Sequence, residues 1–508
     1  MTRATVIRGG RLVGAGKGAD LADILIQGDT VREVGPPGLA APADAATIDA
    51  TDRLLHPGLI NAHMHGHGNL AKGMGDRWTL ELLLAAGPWI SGNRTLEDKY
   101  LTTYLGACEM LLKGCTACYD LTVEFPLPSV EGMEACARAY ADAGMRAVLA
   151  PMVAELSFYE SYPGLIDALP PAARKDVERL RLAPGEATLK VMRESLHGWA
   201  FDRARVCPAV APTIPHHCSD DFMRQCAVLA REFEVGLHSH VQESKAQVMV
   251  GLKRYGKTQT AHLQDLGLLG ENFTVAHGVW LDNDDMQRLG DHGASVAHNP
   301  GSNMRLGNGL ADTRGMLDRR VNLAIGTDGA NCSDNLNMYE SMRLASMASK
   351  TQGPDTDRWL TTDEVFRAAT EGSARALGFA DRLGRIAPGY KADIVFLDLH
   401  HVNWMPFNDA TNQLVHTEDG SGVHAVMVGG RMVVDDGRLV GVDMAALARK
   451  VESVRARLAE VNLPNKALFE RVEQVVNTFC PGLAKMPYHI DRFGGGHHAH
   501  THAAWVQT

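Results

Sequence analysis

His63 and His65 are separated by a single residue at the end of an apolar run, HPGLINAHMH. Alternate residues of a strand point to the same side, so an H-x-H pair sets two imidazoles side by side and can hold one metal ion. The pair alone is weak evidence, and His67, one alternation further on, reads equally as a loop histidine. The chain repeats the arrangement, however. His240 lies in GLHSHVQE with Glu243 three positions later, His277 follows the run FTVA, and Asp328 sits in GTDG after NLAI. Three imidazoles with one carboxylate suit a catalytic Zn2+ or Fe2+ that keeps a position open for water. Ionisable groups gathered in a buried place without such an ion would carry a large desolvation cost.

Each of these residues closes a short apolar run, and eight such runs recur at 58–65, 114–121, 146–153, 206–213, 236–243, 273–280, 294–300 and 322–329. Helical patterns usually separate them, which predicts an α/β fold with a (β/α)8 TIM-like barrel over 58–379. The polar residues lie at the C-terminal ends of the strands, where barrel active sites are assembled. Residues 1–57 and 380–442 differ in texture, with short Val- and Ile-rich runs between turn signals, and predict a β-sandwich built from both ends of the chain. Residues 443–508 are read as a helical extension ending in a His-rich tail that contains His497, His498, His500 and His502. The long interval 154–205, with a helix around APGEATLKVMRESLHGW, is placed to cover the barrel mouth.

The chain is long enough for one large catalytic domain with an accessory domain, and its 45% hydrophobic and 22% charged content over 508 residues excludes a disordered or fibrous protein. A net charge of −10 with no basic block argues against nucleic acid or an anionic membrane as partner. No secretory signal and no apolar run of bilayer length is seen, so a cytoplasmic location is expected. Nine cysteines scattered through apolar segments are expected to be free buried thiols, including the Cys115–Cys118 pair.

Taken together, HPGLINAHMH, LHSHVQE, VAHGV, HNPGSN and GTDG resemble the amidohydrolase superfamily, over nearly the whole chain, as does the flanking passage GRIAPGYKADIVFLD. The branch it resembles contains adenosine-type, guanine and S-adenosylhomocysteine deaminases and the triazine hydrolases. The resemblance implies His63, His65, His240 and Asp328 as ligands of a single divalent metal per subunit, Zn2+ before Fe2+. Glu243, His277 and Asp328 become the catalytic groups. Members with two metals usually need a bridging carboxylated lysine at the end of the fourth strand, and VCPAVAPT supplies none. Homo-oligomers are common in this family, and LARKVESVRARLAEV offers a contact surface or, equally, a solvated face.

The implied activity is that of a hydrolase acting on carbon–nitrogen bonds other than peptide bonds. Water acidified by the metal attacks an electron-poor ring carbon, Glu243 carries a proton to the adjacent ring nitrogen, and an exocyclic amine leaves as ammonia. The same machinery serves a triazine-like dechlorinase or dealkylaminase, or a cyclic amide or urea hydrolase; a non-catalytic metal-binding scaffold would be expected to have lost one of these residues. Trp78, Thr213, His298 and Asn303 are candidate contacts for a small heterocyclic substrate, although Trp78 also fits a core position and His298 and Asn303 fit turn chemistry. Nucleoside-type deaminases of the branch tend to carry a histidine where this chain has Thr213, which favours a free heterocycle. His216 and His217, nearby, are expected to be surface loop histidines.

Overall fold

The computed structural model describes residues 4–14 and 19–494; the His-rich tail lies outside them. Five strands open the chain: β1 (Ala4–Val13), β2 (Ala19–Gln27), β3 (Thr30–Gly35), β4 (Ala46–Asp49) and β5 (Arg53–Pro57). The barrel strands follow as β6 (Leu59–Met64), β7 (Cys115–Thr122), β8 (Arg146–Val153), β9 (Val206–Pro208), β10 (Ala211–Pro212), β11 (Leu237–Val241), β12 (Phe273–His277), β13 (Ser295–His298) and β14 (Asn322–Ile325). The last four, β15 (Ile394–Asp398), β16 (Val423–Val428), β17 (Arg431–Asp435) and β18 (Arg438–Leu439), return to the first group.

The barrel consists of two parallel arcs. In one, β6, β7, β8 and β10 lie side by side with β9 also against β8, and in the other β11 to β14 follow in order. Val210 bridges to Leu237 at one seam, where the His238 amide donates to the Val210 carbonyl at 3.0 Å. At the other seam the Asp328 amide donates to the His63 carbonyl at 2.9 Å, and Asn61 and Thr327 bond each other twice. The fourth strand is broken into β9 and β10 because Pro208 and Pro212 have no N–H to give to a ladder. Strands β6 and β7 are buried on both faces, as a sheet covered by helices requires.

Strands β1 to β5 and β15 to β18 form one nine-stranded sheet in the order β18-β17-β16-β15-β5-β1-β2-β3, with β4 beside β1. It curls round its own apolar cluster of Ile7, Ile24, Ile26, Leu55, Ile394 and Phe396. Antiparallel pairing of β15 with β5 ties the C-terminal part to the strand that leads, through Gly58 alone, into β6. The chain therefore enters the barrel already anchored.

The interval 154–205 holds short helices and the predicted long one, Gly185–His197. Its Phe158, Tyr159, Tyr162 and Leu165 pack with the C-terminal helix Leu463–Ala484 and the helix Leu80–Ser91. The helix Met444–Val461, which contains LARKVESVRARLAEV, buries only Leu447 and Leu458. All nine cysteines are free, and Cys115 and Cys118 are buried. Among the described residues no helix is long and apolar enough to cross a membrane.

One buried histidine makes the fold acid-sensitive in a defined window. His56 donates from Nδ1 to the Pro57 carbonyl and accepts at Nε2 from the Tyr339 hydroxyl, each at 2.8 Å, so its neutral form is fully satisfied. Burial pushes the imidazole down from 6.5 to about 4. Between those values the unfolded chain binds a proton that the fold refuses, so stability falls as pH drops through that range, by up to about 3 kcal/mol. In His56→Asn the loss of Tm between about pH 7 and about pH 5 is expected to be smaller than in the parent; an unchanged difference would remove His56 from the account.

Candidate active site

The backbone turns sharply where the site begins. Gln242, His277 and Asp328 all adopt left-handed φ values of 52°, 70° and 63°. Such conformations cost about 1–3 kcal/mol each in non-glycine residues and persist only where the surroundings enforce them. Around Gln242 the enforcement is visible: its side chain donates to the Trp280 carbonyl at 2.8 Å and to Asp285 at 3.0 Å, and accepts from the Thr260 hydroxyl at 2.7 Å. The turn brings the next residue, Glu243, into the barrel mouth. Gly326 is also required, because a Cβ there would lie 2.7 Å from the His63 carbonyl oxygen.

Six predicted residues converge here. His65 Nε2 is 3.3 Å from His240 Nε2 and 3.2 Å from Asp328 Oδ1, and His63 Nε2 is 3.6 Å from the same oxygen. His277 Nε2 lies 3.7 Å from Asp328 Oδ2 and 3.6 Å from Glu243 Oε2. The far nitrogens are held by the protein: His65 Nδ1 on the Leu121 carbonyl, His240 Nδ1 on that of Thr213, and His277 Nδ1 on Asn303 Oδ1, at 2.8, 2.8 and 2.9 Å. Each bond orients a ring so that its Nε2 faces the centre, as metal-ligating histidines require. His63 is completely buried and neither of its ring nitrogens has a hydrogen-bond partner. An orphaned, fully desolvated imidazole among two other imidazoles and a carboxylate fits a divalent cation. The groupings His63–His65–His240 and His63–His277–Asp328 each bring their ligand atoms within 4.8 Å of one another.

The two carboxylates are driven in opposite directions. Burial raises Glu243 well above the usual carboxyl range, helped by the negative charges of Asp328 and Glu81. Burial acts on Asp328 in the same sense but is overcome by His63 and His65, which hold it well below that range. Ser302 and the Gly329 amide also donate to Asp328, at 2.6 and 2.7 Å. Two carboxyl groups whose surroundings push their proton affinities apart are what acid/base chemistry in one site demands.

His65, His240, Glu243, His277 and Asp328 line a cavity of about 680 Å3 together with Thr213, His217, Leu156, Phe158 and residues of the helix Leu80–Ser91. Of the candidate substrate contacts, Thr213 lines the cavity. Asn303 instead holds His277, and His298 is buried with both ring nitrogens unpartnered, outside the cavity lining. Trp78 packs on Phe469 and Trp89, with centroids 5.3 and 6.0 Å away, and is likewise not part of the lining. His216 and His217 are not on the surface: the single turn Pro215–His217 tucks them beneath the insertion, where they bond Gln259 and Ser161, each at 3.0 Å. Asn308, absent from the sequence reading, donates to Glu243 Oε1 at 3.0 Å and is anchored by Trp280 Nε1 on its carbonyl at 2.8 Å.

Residues 54–433 match the amidohydrolase family. This protein belongs to that family. It is 32% identical over 455 residues, 89% of this chain and 98% of the relative, to a 5'-deoxyadenosine deaminase of Methanothermobacter thermautotrophicus. It is 34% identical to a 5-methylthioadenosine/S-adenosylhomocysteine deaminase of Thermococcus kodakarensis, covering 81% of this chain and 89% of the relative. Among solved structures, a zinc-bound adenosine deaminase from Xanthomonas campestris superposes with a TM-score of 0.78 at 26% identity, covering 89% and 98% of the two chains. Atrazine chlorohydrolase from Arthrobacter aurescens TC1, complexed with zinc, gives 0.80 at 25% identity, covering 89% and 100%. The amidohydrolase described here is a metal-dependent aminohydrolase, acting on the carbon–nitrogen bond of an amino-substituted N-heterocycle.

Proposed function

We propose that this amidohydrolase is a zinc enzyme that deaminates an adenosine-type nucleoside, replacing the exocyclic amine of the purine with oxygen and releasing ammonia. The observation that carries the reading is the placement of the Glu243 and Asp328 carboxyl groups on either side of His277 Nε2, at 3.6 and 3.7 Å, in the lining of a cavity with room for a nucleoside. Relatives over most of the chain are named as deaminases of adenosine derivatives.

In this reading His63, His65, His240 and Asp328 would hold the ion, which when bound would supply an acidified water. Asp328, fixed by Ser302 and the Gly329 amide, is the carboxylate that would accept a proton from such a water. Glu243 is tied at Oε1 to Asn308, so Oε2 is the oxygen turned to the cluster, placed to give its proton to the ring nitrogen beside the attacked carbon. As the carbon–nitrogen bond breaks the departing amine takes the proton that Asp328 accepted and leaves as ammonia, and the proton of the added hydroxyl replaces the one Glu243 gave to the ring. His277, held through Nδ1 by Asn303, presents Nε2 to the oxygen that gains charge during addition.

Thr213 supports a second reading, a free aminated heterocycle, because it stands where the resembling nucleoside deaminases tend to have histidine. Metal-replete protein is therefore to be assayed for ammonia on adenosine, 5'-deoxyadenosine and 5'-methylthioadenosine beside free aminated purines, pyrimidines, pterins and triazines. Ammonia with a product one mass unit heavier from a nucleoside is expected. Ammonia from free rings alone would transfer the assignment to the second reading, and none from either group would overturn both.

A further inference from the structure

The cavity has a cationic wall that the hydrolytic chemistry does not use. Four lysine and arginine side chains line it, Arg94, Lys99, Arg179 and Arg181. Three have acidic partners: Lys99 pairs with Glu124, Arg179 with Asp176 and Arg181 with Glu160. Among the described residues Arg94 has none within ion-pair distance. Asp98, four residues on, is taken up by Arg457 and the Thr95 amide; of the three acids lining the cavity, Glu124 is paired with Lys99, and Glu243 and Asp328 belong to the histidine cluster.

Arg94 is nevertheless held in place. It sits in the loop between the helices Leu80–Ser91 and Leu96–Leu112, and its Nη2 donates to the carbonyl oxygens of His67 and Ile90. These contacts aim the guanidinium and supply no negative charge. Nε is buried without a hydrogen-bond partner, and Nη1 makes no hydrogen bond among the described residues. Burial brings the guanidinium down to about 10, against a smaller opposing pull from Asp98, which forms no ion pair with it. A partly buried cation fixed in a substrate cavity with no acid paired to it is matched to a charge that arrives with the ligand.

We propose that Arg94 recognises an anionic group, a carboxylate or a phosphate, on the substrate. The inference rests on this cavity being the substrate site, and it adds a negatively charged substituent to the heterocycle that the hydrolytic cluster acts on. The planar guanidinium fork gives both geometry and charge for such a group.

The test is calorimetric titration of the zinc-loaded protein with benzoate, its neutral isostere benzamide, and inorganic phosphate, in the parent, R94M and R94K. Benzoate or phosphate is expected to bind R94M about 10- to 100-fold more weakly than the parent, with benzamide unchanged. R94K, which keeps the charge and loses the fork, is expected to fall between them and serves if R94M does not fold. Loss confined to benzoate identifies a carboxylate, and loss confined to phosphate a phosphoryl group. Anions held as tightly by R94M as by the parent, which is the behaviour of binding at zinc alone, would overturn the proposal, as would no anion binding to the parent. Since the readout is binding without turnover, it stands or falls independently of ammonia release.

Discussion

Glu243→Gln is expected to retain one metal ion per chain while turnover falls by about 10²–10⁴-fold, the usual contribution of a positioned acid/base group. The amide keeps the shape of the side chain and its carbonyl oxygen can still accept from Asn308 Nδ2 at the 3.0 Å contact now made to Oε1. What it cannot do is give up a proton to a ring nitrogen and recover one. Because Glu243 is not among the residues whose atoms group as metal ligands, zinc content should not follow the rate. Asn308→Ala provides a graded control: it leaves the carboxyl in place but frees Oε1, so a smaller loss of kcat with metal retained is expected. Full activity in Glu243→Gln, by ammonia release and product mass, would remove the proton-transfer role; loss of zinc with activity would make Glu243 a ligand.

Much of this site was legible because barrel chemistry is written at strand ends. His63, His65, His240, His277 and Asp328 each follow an apolar run, and a strand that is buried on both faces has little other use for ionisable groups at its end. The groups that orient them were not legible in the same way. Asn303 and Asn308 lie in a segment whose Asn and Gly content reads as turn chemistry, and only the fold shows the first in a short helix holding His277 and the other on Glu243. Gln242 carries no signal at all, since its importance lies in a left-handed φ fixed by Trp280, Asp285 and Thr260 from distant parts of the chain. His216 and His217 were misplaced for a related reason: a His-His pair after proline looks like a surface turn until the insertion 154–205 is seen to close over it. That insertion is itself clamped by Leu463–Ala484, so the cavity wall depends on residues about 300 positions apart, a distance that local pattern does not reach.

Replacing His63 by leucine separates the metal reading of the cluster from a packing one with the second large effect. The ring is wholly buried and has no hydrogen bond of its own, so in a purely structural role an apolar side chain of similar size would serve as well or better. If instead the ring exists to bind an ion, leucine removes a donor that both metal-binding groupings share. The parent is expected to gain about 4 kcal/mol of stability when free zinc exceeds its Kd about 1,000-fold, seen as a zinc-dependent rise in Tm that a chelator reverses together with activity. In His63→Leu that rise should vanish, bound zinc should fall well below one per chain, and ammonia release should drop to background, while the metal-free protein stays folded. A variant that kept its zinc, its Tm response and its turnover would mean that His63 packs the barrel floor and that the ion is held by the remaining residues alone. The comparison works because the same orphaned nitrogens that make His63 a poor core residue make it a good ligand, and only one of those properties survives in leucine.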